Sequence, residues 1–185
     1  MLILLFVAPL AALPQQSTAP TQKWRKSEKT DSNRGMSYNQ FTLAGKFQKW
    51  PEKDASTRPG LEVDCMTQGR SSGSKGDFWH AYFFVGVPLT IEYVEPDAIT
   101  TGIGYFQKID VRYRLDNDKE KKEQWSPGPD KSSVTIPKDV LKKMIVAHNV
   151  VITVNEVNAA EVSAQFEMPD SSEVGQACDL GHPKK

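Results

Sequence analysis

The fold is decided by eight residues in which apolar and charged side chains alternate strictly, Ile109-Asp110-Val111-Arg112-Tyr113-Arg114-Leu115-Asp116. An extended chain places successive side chains on opposite faces, so a period of two separates an apolar face from a charged one. The stretch therefore predicts a half-buried antiparallel strand. Its polar face carries acids at both ends and arginines in the middle.

Similar patterns recur in both directions along the chain. Leu61–Cys65 and Val162–Met168 alternate in the same way, and the continuous apolar run Phe78–Val87 predicts a central strand covered on both faces. Pro137 suits the first position of a short helix, and residues 170–173 resemble a capping box that begins another. The expected fold is mainly β, an antiparallel β-sandwich or strongly curved sheet of about seven or eight strands with one or two short α-helices.

Changes in composition divide the chain into four parts. Residues 1–19 contain the apolar run Leu2–Leu13, which is shorter than the about 20 residues that span a bilayer and predicts a signal peptide. A buried N-terminal strand or a retained anchor is the alternative, because no Lys or Arg precedes the run. The polar residues 20–35 predict a flexible linker, residues 36–180 a single β-rich domain, and residues 181–185 a tail.

Charge and location restrict the class of partner. The chain has 23 basic and 23 acidic residues, so its net charge favours neither a nucleic acid nor an anionic membrane surface. Export implies a periplasmic or secreted protein without an integral membrane span in the mature chain. We therefore expect a protein partner in the cell envelope, while the oligomeric state stays open.

The cysteine pair is the second consequence of the predicted export. Cys65 and Cys178 are the two cysteines of the chain. In an oxidising compartment an even pair favours a disulfide. The alternative is two separate buried thiols that behave as small apolar residues. Two cysteines so far apart in the sequence do not form a zinc-ligand pattern, so a zinc site is not expected.

No catalytic constellation stands out in the sequence. The histidines His80, His148 and His182 are scattered and lack neighbours at the spacing of metal ligands. No Gly-x-Ser-x-Gly elbow exposes a serine nucleophile. We therefore expect a non-enzymatic protein that uses no cofactor and no metal.

Two interpretations fit the charged row, which we define as Asp110, Arg112, Arg114 and Asp116. Cross-strand ion pairs with residues such as Glu161 or Glu167 would make it a solvated sheet face. Alternatively, the row is a surface for binding a partner, since Arg is enriched at protein interfaces. We retain all four residues as candidates for partner binding.

Aromatic residues allow a different function. An exposed platform of aromatic rings on a sandwich would indicate a carbohydrate-binding or glycan-processing module, with candidates Trp50, Trp79, Tyr93, Tyr105 and Trp125. Clustering of the three tryptophans on one accessible face would favour this alternative. Their burial would favour a protein-binding role.

The order of several motifs resembles the VasI-like periplasmic proteins associated with type VI secretion. The motifs are Trp24, Gly60–Cys65, Val111–Asp116, the pair Trp125-Ser126, Ala164–Met168 and the late Cys178. The resemblance implies an exported, β-rich accessory protein without known catalytic residues, or a member of a sister family that shares the fold. The expected function is therefore binding of envelope or secretion-system proteins.

Overall fold

The computed structural model describes residues 22–32, 35–50, 58–68, 78–94 and 106–180. The predicted signal peptide and tail lie outside these ranges. The described elements are, in chain order, β1 Arg25–Asp31, β2 Met36–Ala44, β3 Lys46–Lys49, β4 Gly60–Gln68, β5 Phe78–Phe84, β6 Glu92–Val94, β7 Phe106–Leu115, β8 Lys121–Trp125, β9 Ser133–Thr135, α1 Lys138–Met144, β10 Asn149–Asn155, β11 Glu161–Glu167 and α2 Ser172–Ala177.

The strands form two antiparallel sheets. The first has the order β1-β2-β4-β5-β9, and the second has the order β3-β11-β10-β7-β6, with β8 also paired to β7. All recorded strand pairs are antiparallel. The prediction of a mainly β, sandwich-like fold with one or two short helices is confirmed, and the described residues form eleven strands where about seven or eight were predicted, because short strands such as β3, β6 and β9 pair at the sheet edges. No helix in the described part of the chain is both long and apolar enough to cross a membrane.

The inner faces of the two sheets share one hydrophobic core. In β7, Ile109, Val111 and Tyr113 are at most 2% exposed, as the alternating pattern predicts. The rings of Phe83 in the first sheet and Phe166 in the second meet edge to face, with centroids 5.9 Å apart. Burial of such large apolar side chains supplies the main driving force for packing one sheet on the other.

Strand β5 differs from its prediction. It ends at Phe84, and its outer neighbour is the three-residue strand β9. Ala81 and Phe83 are fully buried, whereas Tyr82 and Phe84 on the opposite face are partly exposed. The run is continuous in apolar and aromatic residues because the outer face of this strand is itself aromatic, and not because both faces are covered.

The segment predicted as a flexible linker, residues 20–35, contains strand β1. This strand pairs along its whole length with β2 and is exposed at almost every position. The Trp24 indole donates a hydrogen bond to the Ser171 hydroxyl at 3.0 Å, and Lys26 forms an ion pair with Glu173 at 3.1 Å. A charged edge strand protects a sheet from pairing with other chains, so polar composition and strand structure coexist here.

The disulfide prediction agrees with the structure. Cys65 of β4 and Cys178 at the end of α2 lie with their Cα atoms 4.7 Å apart and are joined as a disulfide. Both residues are fully buried. Because β4 belongs to the interior of the first sheet, the bond fixes the C-terminal helix against the core.

Gly45 marks the point where the chain leaves the first sheet and enters the second. Its N–H donates to the Pro59 carbonyl at 2.8 Å, and a Cβ atom at this position would lie 2.5 Å from the ring of buried Phe166. We expect Gly45→Ala to lower the free energy of unfolding by about 1–3 kcal/mol, because the ring must move within a packed core.

Urea denaturation measures this effect, and Gly60→Ala is the matched control. A Cβ atom at Gly60 would meet only the Leu43 carbonyl oxygen, at an ordinary 3.8 Å. Equal stability of the two variants would show that the space beside Phe166 is not limiting.

Candidate functional site

The charged row lies on the outer face of the second sheet, next to polar residues of neighbouring strands. Arg112 of β7 is opposite Lys122 of β8 on one side and Thr153 of β10 on the other. Thr153 is in turn opposite Ser163 of β11, and its hydroxyl donates to the Ser163 hydroxyl at 3.0 Å. Polar side chains therefore extend across four adjacent strands of this sheet.

Arg112 is the centre of an ion-pair network on this face. Its guanidinium contacts the carboxylates of Glu161 and of Glu120, the latter at 3.7 Å, and Lys49 also reaches Glu161 at 3.3 Å. The hydrogen bond from Arg112 is the main cause that lowers the pKa of Glu161 below its usual value. The expected cross-strand pair with Glu161 is present, whereas Glu167 pairs with Lys46 at 3.6 Å.

A groove with a volume of about 660 Å³ runs beside Arg112. Its lining includes Asp110, Lys122, Gln124, Asn155 and Glu161. The Gln124 amide donates a hydrogen bond to the Asp110 carboxylate at 3.1 Å, which fixes one wall. The groove is thus lined by charges of both signs held in place by their neighbours.

The other two residues of the charged row have separate roles. Arg114 is exposed and forms no ion pair with any residue that the structure describes, and it lines a smaller cavity of about 200 Å³ next to Arg112. The Asp116 carboxylate accepts hydrogen bonds from the backbone N–H groups of His148 and Asn149, both at 2.8 Å. Asp116 also has a positive φ of 50°. Its function is therefore to connect the end of β7 to the start of β10.

The tryptophan side chains that the structure describes do not form the accessible platform that the carbohydrate alternative requires. Trp125 is 1% exposed, and its indole N–H donates to Glu123 at 3.1 Å. Trp50 is partly buried and stacks on Phe47 with centroids 4.0 Å apart. The side chains of Trp79 and Tyr105 lie outside the described residues. Tyr93, with 65% of its surface exposed, is the accessible aromatic candidate in the described part.

A second polar group, which was not among the sequence-based candidates, lies on the outer face of the first sheet. We call it the acid–tyrosine cluster and define it as Tyr38 and Gln40 of β2, Glu62 and Asp64 of β4, and Tyr82 of β5. Register places Gln40 opposite Asp64 and Glu62 opposite Tyr82. The sequence contains a pattern that points to this cluster, because both residues between the apolar positions of Leu61–Cys65 are acids.

Burial perturbs both acids of this cluster. Asp64 is 5% exposed, and desolvation, followed by the nearby Glu62 charge, raises its pKa from 3.8 to about 7. Desolvation also raises the pKa of Glu62 above its usual value. The nearby Gln40 side chain lowers the pKa of both carboxyl groups and partly offsets these effects. Perturbed acids of this kind concentrate at functional sites, although structural networks produce them too.

One further property of the described residues concerns metals. Among them, no three His, Cys, Asp or Glu side chains are grouped closely enough to hold a metal ion.

Comparison of the chain with protein-family models, with curated proteins and with solved structures finds no match in any of the three.

Proposed function

We propose that this protein is a non-enzymatic accessory protein that binds a protein partner. The binding surface is the outer face of the second sheet that carries the charged row and the groove beside it, which we call the charged face. The observation that carries the proposal is the groove beside Arg112, whose walls present fixed charges of both signs. Complementary charge patterns of this kind select a partner and its orientation more than they add raw affinity.

Arg112 and Arg114 contribute to the proposed interface in different ways. Arg112 is held by Glu161 and Glu120, so its guanidinium is already oriented and loses little freedom on binding. Arg114 is exposed beside it without an ion pair in the described part of the chain. The guanidinium of Arg114 can donate two parallel hydrogen bonds to a partner carboxylate. A lysine ammonium cannot form this bidentate pair, so arginine binds a carboxylate more specifically.

The proposed location is outside the cytoplasm. A buried disulfide between distant cysteines is compatible with an oxidising compartment, where such bonds persist. The resemblance to VasI-like proteins suggests a partner in the cell envelope, and the association with type VI secretion is part of the proposal. A carbohydrate-binding role has less support, because Trp125 is buried in the core.

The double substitution Arg112→Ala, Arg114→Ala should fold normally and lose the partner. Exposed ion pairs contribute about 0–1 kcal/mol to stability, whereas an arginine hot spot contributes about 2 kcal/mol or more to binding. A photo-crosslinking residue at position 122, an exposed position that lines the groove, should capture one predominant partner in intact cells. Isothermal titration of that isolated partner then measures the loss in the double variant.

Lys142→Ala is the matched control, since Lys142 is an exposed basic residue on α1, away from the groove. Unfolding of the double variant would assign both arginines to a purely structural network. Unchanged affinity in a correctly folded double variant would place the interface elsewhere.

A further inference from the structure

The acid–tyrosine cluster is on the sheet opposite the charged face and shares no residue with it. We propose that this cluster is a binding site for the guanidinium group of an arginine side chain supplied by a partner protein. The inference does not depend on the proposed function, because it concerns a different sheet and a different set of residues.

The first support is the arrangement of the two carboxyl groups. Glu62 and Asp64 are two positions apart on β4, so their side chains leave the same face with Cα atoms about 7 Å apart. The Gln40 side chain, opposite Asp64 on β2, is near enough to lower the pKa of both carboxyl groups. Two acceptors held at this separation match the several N–H donors of a planar guanidinium, which spread over its edges.

The second support is an unsatisfied acceptor. Asp64 is 95% buried, and its Oδ1 atom has no hydrogen-bond partner among the described residues. A buried carboxylate oxygen without a partner is costly, and a native structure retains few such groups. A donor from a ligand would satisfy Oδ1, so binding would remove a cost that the unbound protein carries.

The third support is an excess of negative charge in the cluster. Among the residues that the structure describes, Lys29 is the basic residue that acts on both carboxyl groups, so two acids face one cation there. The negative charges of Asp64 and Glu62 contribute, after burial, to raising the pKa of Tyr38 and of Tyr82 above the usual value. A cationic ligand would offset this excess of negative charge, whereas a neutral ligand would not.

The fourth support is the aromatic surface beside the acids. Tyr82 lies between His80 and Phe84 on the outer face of β5, with ring centroids 5.6 Å and 5.8 Å away. Arginine stacks on aromatic rings and is more weakly hydrated than a lysine ammonium, so it enters partly buried sites more readily. These properties favour guanidinium over a primary ammonium.

Access to the site is through its exposed members. Glu62, Gln40 and Tyr82 are partly exposed, whereas Asp64 is buried. An incoming guanidinium would first contact Glu62 and Tyr82. Reaching Oδ1 of Asp64 then needs changes in side-chain rotamers, which are common when interfaces form.

The test uses three short peptides that differ at one residue, acetyl-Gly-X-Gly-amide with X as arginine, lysine or citrulline. Citrulline preserves the shape of arginine without its charge. NMR titration of the full protein at about pH 8, where the Asp64 carboxyl is mostly ionised, should show saturable shifts in β2, β4 and β5 with the arginine peptide. We expect the citrulline peptide to bind at least about ten-fold more weakly, because charge-assisted hydrogen bonds are lost.

Asp64→Asn and Glu62→Gln should each weaken binding of the arginine peptide by about ten-fold or more, since each removes one charged acceptor. Glu28→Gln is the matched control, because Glu28 is an exposed acid of the same sheet that points to the other side of β1. The Arg112→Ala, Arg114→Ala variant should bind the peptide normally, which separates this site from the charged face.

Three outcomes would overturn the inference. Equal binding of the arginine and citrulline peptides would show that charge is not recognised. Equal binding of the lysine peptide would exclude a guanidinium-specific site. Shifts at the cluster caused only by a neutral oligosaccharide such as maltose, with none from the arginine peptide, would assign the site to a carbohydrate instead.

Discussion

Replacing both cysteines by alanine is expected to lower the free energy of unfolding by about 5 kcal/mol, on the chain-entropy account of cross-linking. The bond joins residues 113 positions apart, so it encloses most of the described strands in one covalent loop. Without the disulfide, the unfolded chain gains the conformational entropy that the closed loop removes, and this gain favours unfolding. This loss is a large fraction of the about 5–15 kcal/mol that stabilises a typical domain.

Denaturant unfolding of the oxidised protein, the reduced protein and Cys65→Ala, Cys178→Ala measures this effect. The reduced protein and the double variant should have similar midpoints, well below that of the oxidised protein. Gln176→Ala, at an exposed position of α2, controls for changes in the helix itself. If reduction leaves the midpoint unchanged, the helix is held by packing of residues such as Val174, and the bond contributes little.

Asp64→Asn is expected to stabilise the protein above neutral pH. The pKa of Asp64 is about 7 in the folded state, against 3.8 for the group without burial. The folded state therefore binds more protons than the unfolded state between these values, and stability falls as pH rises through that window. Above about pH 7 the ionised Asp64 lowers the free energy of unfolding by its full amount, which is on the order of 4 kcal/mol.

Thermal or urea unfolding from about pH 4 to about pH 8, the window in which Asp64 titrates, tests this expectation. Asp64→Asn should flatten the decline in stability with rising pH and exceed the wild type at the alkaline end. Glu28→Gln again serves as the control, because it removes an exposed acid of the same sheet. A parallel decline in wild type and Asp64→Asn would show that Asp64 is ionised without penalty in the folded protein.

The charged row shows how far local pattern leads to a site. Strict alternation correctly placed Arg112 and Arg114 on the outer face of β7, because side-chain direction in a strand follows directly from chain geometry. The pattern could not show that Asp116 turns back to hold the backbone of His148 and Asn149. That role depends on β10, which begins more than thirty positions later.

Strand β1 shows where composition is insufficient. Its residues are almost all polar, and polar composition favours an open linker when considered alone. The strand forms because β2 supplies its hydrogen bonds, and because Trp24 and Lys26 contact α2 at a sequence separation of 147. Contacts with residues so far away in the sequence produce no periodic pattern in the segment that they stabilise.

The sequence by itself determined the class of fold and the two faces of β7, since these follow from side-chain alternation, and its count of two cysteines favoured the pairing of Cys65 with Cys178. Only the tertiary structure decided which polar residues are buried. Asp64 alternates with apolar neighbours as Asp110 does, yet Asp64 is buried and Asp110 is exposed. The difference arises because Asp64 lies between Gln40 of β2 and His80 of β5 in the first sheet, and that environment is assembled by pairing between strands that are distant in sequence.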